Sequence, residues 1–326
     1  MPLRKKKRKR GTRLYLTSDF HASDVAWKKM LNAVRLGVYE ADAVFYAGDL
    51  TGKSVVPIVE RDGAWEAELI GQARRARTEQ ELRELERDVT NLGFYPYELS
   101  REEVETLGDD SKSRERLFAA EIHRRMRAWL DLAAERLEDT GVPVYLIPGN
   151  DDPYELDEVL NASPYCLNVD GKVAQVPGGL DVLGIGKSSA TPWQTPREVP
   201  EEELRDEILS LVEEVRDPRR TIFLIHCPPH ESGLDVAPIL DENLRPVVSA
   251  GDLLRGPVGS VGVREAIEQV QPLLGFHGHV HESGGAVHLG ETLCINPGSE
   301  AAFGIVRGYL VDVNDDGVER AFRVEG

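Results

Sequence analysis

The segment Phe276-His277-Gly278-His279-Val280-His281 places three of the chain's eight histidines within five residues, directly after an apolar run over 273–276. Side chains on alternate residues at a strand end point the same way and can converge on one point. Neutral imidazole is the commonest metal-binding side chain, so cation binding is the chemistry this spacing suggests. Such a cluster can equally be a polar loop facing water, and carboxylates elsewhere in the chain separate the two readings. The chain supplies them. Asp19 and His21 stand in Ser18-Asp19-Phe20-His21, Asp49 follows Gly48, and Asn150, Asp151 and Asp152 follow Pro148-Gly149; His226 adds one more imidazole. Taken singly, Asp19 reads as a helix N-cap and Asp49 or Asn150 as turn residues.

The elements around these residues decide in favour of a site. Apolar runs at 14–17, 43–47, 142–147, 221–225 and 273–276 are short, rich in β-branched or aromatic residues, and bounded by polar, Gly or Pro residues. They read as buried strands. Each ends in Asp, Asn or His, and helical patterns lie between several of them, as over 25–36. In α/β sheets ligands bind beyond the carboxyl ends of strands. Five strand ends delivering metal-type donors to one edge are hard to reconcile with a structural origin alone.

Composition sets the frame. The 326 residues are 41% apolar and 29% charged, which is globular and long enough for a sizeable core. No apolar run of about 18 residues predicts a membrane span, and the basic N-terminus lacks the apolar stretch of a secretory signal. Cys166, Cys227 and Cys294 are an odd, widely spaced set without a C-x-x-C pair. They point to a reducing cytoplasm rather than to disulfides or a structural zinc. Charge is uneven: residues 1–13 hold eight Lys/Arg and no acid, leaving 31 basic against 57 acidic residues in the body. Such a body repels a phosphate backbone, so nucleic acid could bind only through the tail, and the tail over 1–13 reads first as a solvated, disordered end.

These motifs resemble the calcineurin-like metallophosphoesterases. The match lies in D-x-H at Asp19-Phe20-His21, G-D at Gly48-Asp49, G-N-x-D from Gly149 to Asp152, the strand-terminal His226, G-H-x-H from Gly278 to His281, and Asn296-Pro297-Gly298-Ser299. The resemblance implies an α/β fold: a two-sheet αββα sandwich with a binuclear metal centre at the sheet edge. One metal would be held by Asp19, His21 and His281, and the other by Asn150, His226 and His279, with Asp49 bridging. The N/O set suits Mn²⁺, with Fe or Zn as alternatives. Two such cations would activate a hydroxide for in-line attack on a phosphate ester. His277 is not expected as a ligand, nor is Cys227, whose side chain alternates away from His226.

One position departs from the family pattern. Asp151 stands where the family has a histidine that assists the leaving group. An ionised carboxylate has no proton to give and repels phosphate. Either Asp151 and Asp152 share a proton in a desolvated site, or no general acid operates, or Asp151 is a turn residue. The expectation is weak phosphomonoesterase activity and a preference for phosphodiesters.

Between residues 53 and 112 an insertion is expected, interrupting the 14–326 domain. It opens with a hairpin turning at Asp62-Gly63. Thr78-x-x-Glu81 and Ser100-x-x-Glu103 read as capping boxes. A long amphipathic helix over 113–139 follows, on which His123 reads as a surface residue. The insertion begins just after Asp49, which favours a lid or rim; a partner platform on a catalytically weak scaffold is the alternative, and a nuclease using the basic tail a second. His230 and Arg264 are candidate substrate contacts, Trp193 reads as a packing anchor ahead of a pocket-lining residue, and His288 as structural. Gly184 to Ser189 lacks phosphate-loop spacing. The expected substrate is a small phosphorylated molecule or phosphodiester; the oligomeric state is not legible.

Overall fold

The computed structural model describes residues 11–100, 102–104, 110–249 and 251–326; residues 1–10 of the basic tail lie outside these. In chain order the first strands are β1 (Thr12–Thr17), β2 (Ala43–Ala47), β3 (Val55–Arg61), β4 (Ala64–Leu69), β5 (Gln72–Ala76), β6 (Tyr95–Leu99), β7 (Val144–Ile147) and β8 (Cys166–Asn168). Next come β9 (Lys172–Val176), β10 (Leu180–Ile185) and β11 (Thr221–Ile225), then short strands β12 (Val236–Pro238), β13 (Val248–Ser249), β14 (Asp252–Leu253) and β15 (Arg255–Pro257). The last five are β16 (Leu274–Phe276), β17 (Gly285–Leu289), β18 (Thr292–Asn296), β19 (Arg307–Asn314) and β20 (Gly317–Glu325).

Two six-stranded sheets carry the fold, in the orders β20-β19-β1-β2-β7-β8 and β17-β18-β16-β11-β10-β9. Strands β1, β2, β7 and β8 run parallel, as do β10, β11, β16 and β18. Alternation along each strand builds the layers. Leu14, Leu16, Phe45, Tyr145 and Ile147 meet Ile222, Leu224, Leu274 and Phe276 between the sheets. The intervening Tyr15, Val44, Tyr46, Val144 and Leu146 face the helices Asp24–Arg35 and Ser111–Leu137. On the far side, Phe223 and Ile225 pack against the helices Glu201–Val212 and Val261–Val270. The result is helix, sheet, sheet, helix. Because the central strands of each sheet are parallel, their carboxyl ends share one edge. Phe45 stacks on Tyr145 at 5.3 Å and meets Phe276 edge-on at 5.4 Å, tying the two sheets just below that edge.

Residues 53–112 hold a sheet of their own, ordered β5-β4-β3-β6, with the helix Glu79–Asn91 against it. Asp62 and Gly63 turn the β3–β4 hairpin with φ of 50° and 71°. Ser100 and Glu103 exchange hydrogen bonds of 2.8 and 3.2 Å, a complete capping box. The long helix starts two residues before the expected 113, because Asp110 accepts hydrogen bonds from the amides of Lys112 and Ser113. Its apolar face buries Ile122, Met126, Trp129 and Ala133. Arg13, grouped with the tail by its charge, instead lies within β1; it is buried, and its Nη2 donates to Asp312 at 2.9 Å. Among the described residues, no helix is long and apolar enough to cross a membrane.

Candidate metal centre

Every donor anticipated from the strand ends arrives at the shared edge. Asp19 and His21 follow β1, Asp49 follows β2, Asn150 follows β7, His226 follows β11, and His279 and His281 follow β16. The chain turns sharply at each point. Asp19, His21, Ala22, Asp49 and His279 all adopt left-handed φ, between 45° and 68°. Non-glycine residues hold that conformation only where the surroundings enforce it, and functional sites are where it collects. The enforcement is visible: the amides of Asp19, His21 and Ala22 donate to the carbonyls of Gly48, Asp49 and Leu50 at 2.8–3.1 Å, lacing the first two loops together. Gly48 has φ +100°, and a Cβ there would lie 2.8 Å from the Pro148 carbonyl oxygen and against His226.

Ligand-type atoms of Asp19, His21, Asp49 and His281 lie within 4.8 Å of one another, a group able to hold a metal ion. His21 Nε2 faces His281 Nε2 at 3.1 Å, and His281 Nε2 is 3.5 Å from Asp19 Oδ1. Asn150, His226 and His279 adjoin this group. Asn150 Oδ1 lies 2.9 Å from His226 Nε2 and 2.6 Å from His279 Nδ1. Its amide nitrogen is committed to Thr195 Oγ1 at 2.9 Å, so the oxygen is the atom presented to the site. His226 is oriented in the same way: Nδ1 lies 2.6 Å from the Ala47 carbonyl, leaving Nε2 for the cluster.

The electrostatics follow from burial and from the carboxylates. Burial opposes the charge on Asp49, yet His226 and His21 hold its carboxyl far below the usual range. Burial likewise opposes charge on His226, but Asp49 outweighs it and pushes the imidazole up to about 10. Burial takes His279 down to about 4, and the neighbouring His226 adds to the effect. The carboxylate that favours a proton on His226 would equally favour a divalent cation beside it. His21 Nδ1 is buried with no hydrogen-bond partner among the described residues. Oxygen and nitrogen donors without a thiolate, with one nitrogen unspent, fit a hard or borderline divalent metal.

His277 is buried, its Nδ1 2.9 Å from the Ile225 carbonyl and its Nε2 directed at the strand interior near Cys294. It braces β16 and is not part of the cluster. Asn296 and Ser299 support the histidine loop from behind. Asn296 Nδ2 donates to the Val280 carbonyl at 2.9 Å, and Ser299 Oγ to the Asp19 carbonyl at 2.6 Å.

Several expected site residues have other work. Asp152 is fully buried and accepts from the amides of Leu50, Thr51 and Gly149 and from the Thr51 hydroxyl, at 2.7–3.0 Å. It fastens the β2 and β7 loops together and does not line the cavity, so the shared proton with Asp151 has no geometric basis. Asp151 does face the cavity and pairs with Lys53 Nζ at 3.2 Å. His230 and Arg264 do not line it. Arg264 Nη1 instead donates to the His230 carbonyl at 2.7 Å, pinning the loop after β11.

The cavity over the cluster has a volume of about 640 Å³. Metal-type donors form its floor; Phe118, Ile122, His123 and Trp193 form walls, with Lys53 beside Asp151. By sequence Lys53 merely starts an insertion and His123 reads as a surface residue. The signal for both is nonetheless present: Lys53 lies four residues beyond Asp49, and His123 shares the helix face that carries Phe118 and Ile122.

Nitrogen and oxygen donors gathered at the carboxyl edge of two packed sheets form a candidate metal centre on an αββα fold. A family model described as metallophosphoesterase, calcineurin superfamily, matches residues 103–319, and the chain belongs to that family. The matched span holds Asn150, His226, His279 and His281, while Asp19, His21 and Asp49 precede it. The chain is 32% identical over 163 residues to the uncharacterized protein MJ1162 of Methanocaldococcus jannaschii, a match covering 49% of this chain and 66% of that relative. It thus spans just under two thirds of the relative's length. The crystal structure of TT1561 from Thermus thermophilus overlays with a TM-score of 0.54 at 16% identity, covering 96% of this chain and 98% of that one. Another solved structure gives 0.55 at 17% identity, covering 97% and 99%. At those identities the likeness is one of fold. The chain thus joins a calcineurin-superfamily metallophosphoesterase domain to a cluster of side chains able to hold a metal ion.

Proposed function

We propose that the protein hydrolyses phosphodiesters with a pair of divalent cations, manganese preferred. The position of Asp49 carries the reading. One of its carboxylate oxygens faces His21 Nε2 at 3.6 Å and the other faces His226 Nε2 at 3.4 Å. A carboxylate so placed lies between two donor sets: Asp19, His21 and His281 on one side, Asn150, His226 and His279 on the other. Divalent cations bound there supply Lewis-acid chemistry and an activated water. The protein's own part is to fix the donors, hold the phosphate, and keep the reaction from bulk solvent.

Charge at the cavity supports the diester. Asp151, Glu115, Glu155 and Glu282 line it, with Lys53 as the facing cation. A monoester dianion meets about twice the repulsion of a diester monoanion in that field. A volume of about 640 Å³ suits a small molecule. The three cysteines are free and buried, which accords with a cytoplasmic setting. The test is kcat/KM for bis-p-nitrophenyl phosphate against p-nitrophenyl phosphate with Mn²⁺. The diester is expected to lead by at least about tenfold, the effect of one extra charge at short range in a partly screened site. A ratio at or below one contradicts the diester preference, and no turnover with Mn²⁺, Fe²⁺ or Zn²⁺ contradicts the enzyme reading.

A further inference from the structure

We propose that Trp193 stacks on a planar aromatic arm of the substrate, so that the preferred phosphodiester carries an aryl or nucleobase group. The inference rests on the phosphodiesterase reading and adds to it the chemistry of the group that the phosphate bears.

Packing does not account for Trp193. It is 61% exposed, which excludes the packing anchor expected from the sequence, whereas Trp27 and Trp129 are buried and stack on each other at 4.8 Å. An indole left largely in water forgoes most of the burial that favours ordering so large a side chain. Yet Trp193 lines the cavity over the donor cluster.

The loop that carries it is tightly closed. Glu198 Oε1 accepts from the Thr191 hydroxyl at 2.5 Å and from the Thr195 amide and hydroxyl at 2.7 Å. The Trp193 amide donates to Thr191 Oγ1 at 3.2 Å, and Gln194 takes a left-handed φ of 52°. The same loop is tied to the donors. Thr195 Oγ1 accepts from Asn150 Nδ2 at 2.9 Å, and the Arg197 amide donates to the Asn150 carbonyl at 3.3 Å. Arg197 is buried, with Nε donating to the Asp152 carbonyl at 2.7 Å and Nη2 to Asp157 at 2.6 Å. Trp193 therefore stands two residues from the hydroxyl that orients Asn150, in fixed relation to the donor floor.

The rest of the cavity fits a flat, uncharged arm. Phe118 and Ile122 add apolar surface from the helix Ser111–Leu137. That wall is held in place: Arg125 Nη1 donates to the Ala22 carbonyl at 2.9 Å, and Trp129 Nε1 to Asp24 Oδ1 at 2.6 Å. Glu115, Glu155 and Glu282 also line the cavity and repel any second anionic group. A ring laid on the indole removes both aromatic faces from water, and stacking of this kind tolerates any base or aryl ring.

The experiment uses three diester monoanions as competitors of methyl p-nitrophenyl phosphate on the Mn²⁺-loaded full chain: dimethyl phosphate, methyl phenyl phosphate and the methyl ester of thymidine 5′-phosphate. In the wild type an aromatic competitor is expected to bind about tenfold tighter than dimethyl phosphate, the effect of one stacked ring. Trp193→Ala should erase that preference and leave the inhibition constant of dimethyl phosphate unchanged, and Trp193→Phe should restore most of it. Because the ring is exposed, the melting temperature should not move. Tight binding of both aromatic competitors assigns the arm to any aryl group, and of the thymidine ester alone to a nucleoside. Equal inhibition by all three in the wild type, or a preference that survives in Trp193→Ala, overturns the proposal. A wild type that turns over no diester overturns instead the phosphodiesterase reading. The proposal is then read from tryptophan emission: quenching by the thymidine ester that Trp193→Ala abolishes supports it, and no such quenching overturns it.

Discussion

Asp49 is the residue on which the centre turns, because its two oxygens face two different histidines. Asp49→Asn keeps the shape and removes the charge. It is expected to weaken Mn²⁺ binding by at least about 100-fold, measured by calorimetric titration, since even residues behind a ligand cost about 10–100-fold when lost. Gly48→Ala tests the backbone rather than the charge. Its φ of +100° and the 2.8 Å approach to the Pro148 carbonyl leave no room for a methyl group. The variant should lose turnover together with about 1–3 kcal/mol of stability, read by urea unfolding. At this scale the sequence is most informative. Donor types at strand ends name the cluster, because strand alternation and short loops leave those side chains few directions. It is least informative for Asp152 and Arg264, which reach backbone groups of loops distant in the chain. Nothing local in a sequence announces a carboxylate that will accept from Leu50, Thr51 and Gly149.

Among elements, the edge of the first sheet offers a pH-dependent prediction. Arg13 on β1 and Arg320 on β20 both bond Asp312 on β19. Burial opposes its charge, yet the two guanidinium groups hold the carboxyl down to about 2. A carboxyl lowered on folding stabilises the protein fully above its unfolded value of about 4, and that stability drains away as pH falls towards about 2. Asp312→Asn should therefore cost about 1–2 kcal/mol near neutral pH. The gap from wild type in urea midpoint should close between about pH 4 and pH 2. A gap independent of pH contradicts the ion-pair account. The helix Ser111–Leu137 matters in another way. Its amphipathic pattern is legible, but its role as cavity wall is not, because that depends on Arg125 reaching the Ala22 carbonyl, 103 residues away in the chain. Trp129→Ala removes the stacked ring and the Asp24 bond, and is expected to cost about 3–5 kcal/mol in unfolding experiments.

For the whole molecule, five buried strands with intervening helical patterns make an α/β sheet readable, whereas the stacking of two such sheets is expected only from the resemblance of the motifs. The separate sheet within residues 53–112 is legible only in part: its hairpin turn and caps have local signatures, whereas the parallel β3–β6 pairing joins Val55 to Tyr95, far along the chain. That sheet is fitted closely to the centre, since a Cβ at Gly93 would strike the His21 carbonyl. The acidic body and basic tail imply a division of labour. Deleting residues 1–10 should leave turnover of small diesters unchanged, while any salt-sensitive retention on polynucleotide disappears.

The central claim is a centre of two cations bridged by Asp49, and metal stoichiometry tests it most directly. Protein stripped with chelator and titrated with Mn²⁺ in a calorimeter, with elemental analysis of the product, should bind two ions per chain. His226→Ala should retain one of them. Binding of a single ion by the wild type, unaffected by His226→Ala, would contradict the account.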